Sequence, residues 1–206
     1  MFLPPKLPKG FTLIEVLVVA GIATFIVVSL VSNSLRTRVN VNETARTLVS
    51  DIRTAQANAL SAKQYINPTN GAVSYRCGYG VSHVTNDTTG YFLYTGGTFN
   101  SGGGCTESQR YGGSGTPIVV SRIIDSRLEI IDNVSGSKFE DIYFEAPGGK
   151  IYIKNAHRPT EVSKNKSQIL IRKKGSTCPS VDCVYVCVYS FGRIESRSTV
   201  CPDLAP

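Results

Sequence analysis

Three groups of residues have the types and spacing to do chemistry. The first is Gly10-Phe11, followed four residues later by Glu15. From Leu13 to Val31 the only strongly polar side chain is Glu15, while Thr24 and Ser29 can return their hydroxyls to a helix backbone. An ionised acid in an apolar helix costs on the order of 2.5–3.5 kcal/mol at mid-membrane and less near the edge. A plain anchor would carry leucine there. Cleavage after Gly10 would give Phe11 a free, cationic amine. Within one chain its contact with Glu15 is awkward. Between chains shifted along the axis it is easy. Such a pair at ~4 Å is worth roughly 4 kcal/mol at an effective dielectric of ~20, before desolvation.

The second group is Cys77, Cys105, Cys178, Cys183, Cys187 and Cys201. All six lie beyond the apolar run, and an even count outside the cytoplasm favours disulfides. Six cysteines admit 15 pairings. The expected set is Cys77–Cys105, Cys178–Cys183 and Cys187–Cys201. Cys183 and Cys187 should share a strand face but lie ~13 Å apart along it, too far to bridge. Zinc is the rival chemistry. No CxxC pair occurs, and His83 and His157 are isolated in sequence, so no metal or other cofactor is expected. Nor is an enzyme: there is no Ser, His and Asp set in a recognisable context, no GxSxG and no phosphate loop. Asn86-Asp87-Thr88-Thr89 lacks the EF-hand pattern and reads as a turn.

The third group is basic. Between Lys150 and Lys174 stand eight Lys or Arg and one acid, Glu161, whereas between Asp125 and Glu145 stand six acids and two bases. The plain reading is solvated strand and loop faces. The sharper one is contact between subunits, the basic block of one copy on the acidic block of the next. The net charge is +7, falling to +5 if Met1–Gly10, with Lys6 and Lys9, is removed. That permits contact with polyanions without demanding it.

These residues need elements to position them. About 20 residues at ~1.5 Å each span a bilayer core of ~30 Å, so Leu13–Val31 is long enough to cross a membrane. Lys6 and Lys9 precede it with no acid, which keeps the N-terminus cytoplasmic and exports the rest. A cleaved secretory signal fits poorly, since the small residue Gly10 precedes the apolar run instead of following it.

Gly10-Phe11-Thr12-Leu13-Ile14-Glu15 and the apolar run behind it resemble the processing site of type IV pilins and the pseudopilins of type II secretion. The resemblance implies that a prepilin peptidase cuts between Gly10 and Phe11 and methylates the Phe11 amine, with Glu15 as the family's assembly glutamate. It also implies other pilins or pseudopilins and an inner-membrane assembly platform as partners.

Past the membrane, Val41, Ala45, Leu48, Ile52, Ala55, Ala59 and Ala62 recur at spacings of four and three, one apolar helical stripe. Arg46, Asp51, Arg53, Gln56 and Lys63 are placed off it. No proline interrupts 11–66, and Pro68 marks the stop. Some 50 residues make a rod of roughly 80 Å. The rest reads as strands: alternation from Ser74 to His83, then Tyr91–Thr95, Ile118–Ile124, Leu128–Ile131, Phe139–Glu145, Lys150–Lys154, Gln168–Arg172, Val184–Phe191 and Arg193–Val200. Gly148-Gly149 turns a hairpin, and the glycine-rich 96–115 is a loop.

The expected fold is α+β, a long N-terminal helix packed on a C-terminal antiparallel sheet domain, the pilin fold. Its parts are a leader at 1–10, a transmembrane or filament-core helix at 11–34, an amphipathic helix at 35–66 and an exported domain at 67–206. Residues 45–59 resemble the helix of GspH/FimT-type minor pilins, which often carry a leucine and then Arg-x-x-Ala before the first strand. Some FimT-type pilins bind DNA through a C-terminal Gly-Arg-x-Arg pattern. Here Gly192-Arg193 matches, but the second arginine position is Glu195, which repels phosphate. Arg197 compensates only by reaching the same face. Arg172, Lys173, Lys174, Arg193 and Arg197 are the nucleic-acid candidates. The leading expectation is a structural, minor filament subunit, anchored in the inner membrane and then held in a periplasmic or extracellular filament. The alternative is a DNA-binding tip pilin of a natural-transformation pilus.

Overall fold

A computed structural model describes residues 12–83, 88–99, 105–106, 117–132, 139, 141–154 and 164–203, with backbone alone for 32–39 and 154. The architecture is α+β: one helix followed by antiparallel strands. The chain divides into two units, 1–38 and 39–206, and α1 (Leu13–Leu60) belongs to both.

In the first unit, Leu13–Val31 has a mean hydropathy of 2.6 and exposed side chains. It is long and apolar enough to cross a membrane. Thr24 and Ser29 donate their hydroxyls to Ala20 O and Phe25 O, as expected for hydroxyls in an apolar helix.

In the second unit α1 supplies one wall of the core. Val41, Ala45, Leu48, Ile52, Ala55 and Ala59 are buried, as their spacing predicts. The helix stops at Leu60, short of the expected Ile66. Lys63 N–H donates to Asn58 O and Ala62 N–H to Ala59 O, with Ala62 at φ 46°. This is a Schellman close, built on alanine where glycine is usual. Without that glycine the sequence carries no stop signal before Pro68.

Among the described residues eleven strands follow: β1 (Gln64–Ile66), β2 (Val73–Tyr75), β3 (Gly78–His83), β4 (Gly90–Thr95), β5 (Ile118–Ile123), β6 (Leu128–Asp132), β7 (Asp141–Glu145), β8 (Lys150–Lys154), β9 (Lys166–Lys173), β10 (Cys183–Tyr189) and β11 (Ile194–Arg197). β1 and β2 form a small hairpin; the larger sheets run β5-β4-β3-β7-β8 and β11-β10-β9-β6. One buried cluster joins the α1 face to both larger sheets, through residues such as Val81, Leu93, Ile142, Ile153, Ile171 and Val186. Burying each such aliphatic side chain contributes about 1.5–3 kcal/mol.

β10 is buried along its whole length, on both faces. Its outer face, with Tyr185, Cys187 and Tyr189, packs in a second cluster with Leu170, Cys183 and Cys201. The expected disulfides are all present: Cys77–Cys105, Cys178–Cys183 and Cys187–Cys201. The last holds the C-terminal tail over that face. There Lys166 Nζ donates to Cys201 O and Gln168 Oε1 accepts from Cys201 N–H.

Candidate functional site

Gly10 and Phe11 lie outside the described residues. Glu15 is in the first turn of α1. Its Oε2 accepts from Thr12 N–H at 3.0 Å and from Thr12 Oγ1 at 2.9 Å, and Thr12 Oγ1 accepts from Glu15 N–H at 3.3 Å. This is a capping box, in which threonine and the glutamate three residues on satisfy each other's backbone donors. A carboxylate there also suits the positive end of the helix dipole. The Thr12-x-x-Glu15 spacing signals this, but sequence reasoning missed it and left Glu15 without a partner in its own chain. Both bonds fall on Oε2; Oε1 accepts none among the described residues.

Polar contacts clamp the second part of α1 to the sheets. Asp51, placed off the stripe by its residue type, is 7% exposed. Its Oδ2 accepts from Tyr91 OH on β4 at 2.8 Å and from Arg122 Nε on β5 at 3.0 Å, and its Oδ1 from Arg122 Nη2 at 3.2 Å. Burial, then the bond to Asp51, pushes the Tyr91 phenol far above its ordinary range. Arg53 Nη2 donates to Ile194 O at 3.1 Å, and Gln56 Nε2 to Gly192 O at 3.4 Å. Asn40 donates to Asp125, whose carboxyl the Arg127 guanidinium holds well below the ordinary carboxylate range.

The charged blocks meet within the chain. Arg172 Nε lies 2.6 Å from Glu129 Oε1 across β9 and β6. Lys150 stands opposite Glu145, and Lys154 opposite Asp141, across β8 and β7. The antiparallel register therefore sets these basic positions against acidic ones, and Arg172 with Glu129 forms an ion pair between the two blocks. Lys173 closes β9 and Lys174 begins the turn after it, where Lys174 N–H donates to Arg127 O.

On β11, Arg197 does reach the face of Arg193, because residues two apart on a strand share a face. Glu195 lies between them. It accepts from Arg193 Nη2 at 2.7 Å and from Arg197 Nε at 2.7 Å. Arg197 first, and then Arg193, holds the Glu195 carboxyl below its ordinary range. Each arginine therefore has a local carboxylate partner.

His83 is buried, with Nδ1 2.9 Å from Phe139 O; His157 lies outside the described residues. Of the expected turn at 86–89, Thr88 and Thr89 form a bend and the other two lie outside. Among the described residues no group of three His, Cys, Asp or Glu is placed to hold a metal ion. The chain was compared with protein-family models, with curated proteins and with solved structures, and none of them matches it.

Proposed function

We propose that this chain is a structural, minor subunit of a filament of the type IV pilus or type II secretion pseudopilus kind. It is made as a membrane-inserted precursor with its N-terminus inside. A prepilin peptidase cuts it after Gly10 and methylates Phe11. An inner-membrane platform then draws the mature subunit from the bilayer into a periplasmic or extracellular filament. The chain supplies packing surfaces and no catalysis, and it takes no cofactor.

One observation carries this reading. Glu15 sits in the first turn of an apolar helix with Oε2 occupied by Thr12 and Oε1 open among the described residues. A carboxylate oxygen in that position can accept from the new Phe11 amine of a neighbouring subunit, which would fix the axial step between helices. The capping box holds the carboxylate at the helix start. The α+β architecture and the three disulfides suit an exported subunit. The pairing of Arg193 and Arg197 with Glu195 weighs against the DNA-binding alternative.

Two variants test the reading when expressed beside a prepilin peptidase and the other filament subunits. Gly10→Trp should leave an uncut precursor in the membrane. Glu15→Leu should be cut yet reach the sheared filament fraction at a tenth or less of the wild-type amount. Wild-type incorporation of the leucine variant would overturn the role given to Glu15.

A further inference from the structure

A groove of about 620 Å³ runs between α1 and the edge strand β11. Arg46, Ser50 and Arg53 line its helix side, and Glu195 and Ser196 its strand side. Arg46 and Arg53 are exposed and two helical turns apart, about 10 Å along the axis. Arg46 makes no ion pair among the described residues. The partner of Arg53 is a neutral backbone carbonyl, so its charge is undiminished. Glu195 is compensated by Arg193 and Arg197. The groove is therefore net positive.

Its strand side is also unfinished. Among the described residues β11 pairs with β10 on one side only. Tyr189 N–H donates to Arg193 O, so in this ladder residues 187 and 195 exchange bonds while Ile194 and Ser196 turn their backbone groups away from β10. Arg53 takes Ile194 O. The N–H and C=O of Ser196 remain on the outer edge, facing the same groove as the two arginines.

We propose that this groove receives an extended, acidic segment of a partner protein. The segment adds as a strand beside β11 at Ser196 and sets alternate carboxylates against Arg46 and Arg53. A peptide suits the site better than a nucleic acid for two reasons. It offers the N–H and C=O that Ser196 needs, and it can place a neutral residue at Glu195, whereas a phosphodiester carries charge at every step. This proposal is independent of the filament reading and concerns a different part of the chain.

The test uses the full chain in detergent micelles and a fluorescein-labelled acetyl-(Glu-Val)4 amide, followed by fluorescence anisotropy at about 50 mM salt, where screening is modest. The comparison probes are the (Lys-Val)4 peptide, an acidic peptide N-methylated at alternate residues, and an eight-nucleotide oligothymidylate. The acidic peptide should bind, the lysine peptide should not, and N-methylation should cost about tenfold, or roughly 1.4 kcal/mol. The oligothymidylate should bind at least tenfold more weakly. Arg46→Glu should weaken the acidic peptide about tenfold while Arg46→Lys retains most of the affinity, with both variants matching wild type by circular dichroism. No binding of the acidic peptide, equal binding to the Arg46→Glu chain, indifference to N-methylation, or equal affinity for the oligothymidylate would each overturn the proposal.

Discussion

Replacing Asp51 by alanine removes the acceptor that Tyr91 and Arg122 share. Tyr91 is 1% exposed, so its hydroxyl has little access to a substitute partner. A hydrogen bond to a charged acceptor is worth about 1.5–3 kcal/mol. The Arg122 side chain is 45% exposed, so solvent screens the ion pair and its share is at most about 1 kcal/mol. Asp51→Ala should therefore cost about 1.5–4 kcal/mol, a large part of the 5–15 kcal/mol typical of a domain. With a slope near 2 kcal/mol per molar urea, the unfolding midpoint falls by roughly 1–2 M. The chain has ten tyrosines and no tryptophan, so near-ultraviolet circular dichroism is the natural probe. A double-mutant cycle with Tyr91→Phe should give a coupling of about 1.5 kcal/mol. A midpoint shift of under about 0.3 M, or strict additivity with Tyr91→Phe, would refute the clamp.

The C-terminal strap is a separate source of stability. The loop closed by Cys187–Cys201 spans 14 residues, so the double substitution Cys187→Ser/Cys201→Ser should cost about 3 kcal/mol. Hydrogen exchange should then rise first at the backbone amide of position 201, which in the wild-type chain is held to Gln168. Ala62→Gly relieves a left-handed residue at the helix close and should raise stability by about 1 kcal/mol, read as a higher urea midpoint. The Asp125 and Glu195 carboxyls are both held below their ordinary range, so their contributions are full above the unfolded carboxylate pKa values, near 4. They are lost as pH falls through the lower folded values. The melting temperature should be level above about pH 6 and drop below about pH 4, and Glu195→Gln should make that drop shallower.

The helix and most strands were legible because apolar spacing reports burial directly. Leu48, Ile52 and Ala55 are spaced as a buried stripe and are buried. Asp51 lies beside them on the same turn. Residue type suggested the surface, whereas the tertiary partners Tyr91 and Arg122 make burial tolerable. The β1–β2 hairpin escaped notice because three-residue strands with mostly exposed side chains leave little alternation to read. The end of α1 escaped because its closing turn uses alanine. The neighbourhood of the two charge blocks within one chain was hidden because sequence order does not show register: antiparallel pairing puts Glu129 beside Arg172 and Glu145 opposite Lys150. At the N-terminus the carboxylate stood out at once. Its threonine partner, three residues earlier, was also written in the sequence as Thr-x-x-Glu, but the apolar run drew the reading toward a membrane anchor and away from a helix cap.

The central claim is that Glu15 awaits an amine which only cleavage at Gly10 exposes. Intact-mass and N-terminal fragment spectra of the chain from its native envelope test this most directly. The account predicts a mature protein beginning at Phe11, with the mass of one added methyl group on its amine. A chain that still carries Met1, or one whose first residue lies anywhere other than Phe11, would contradict it.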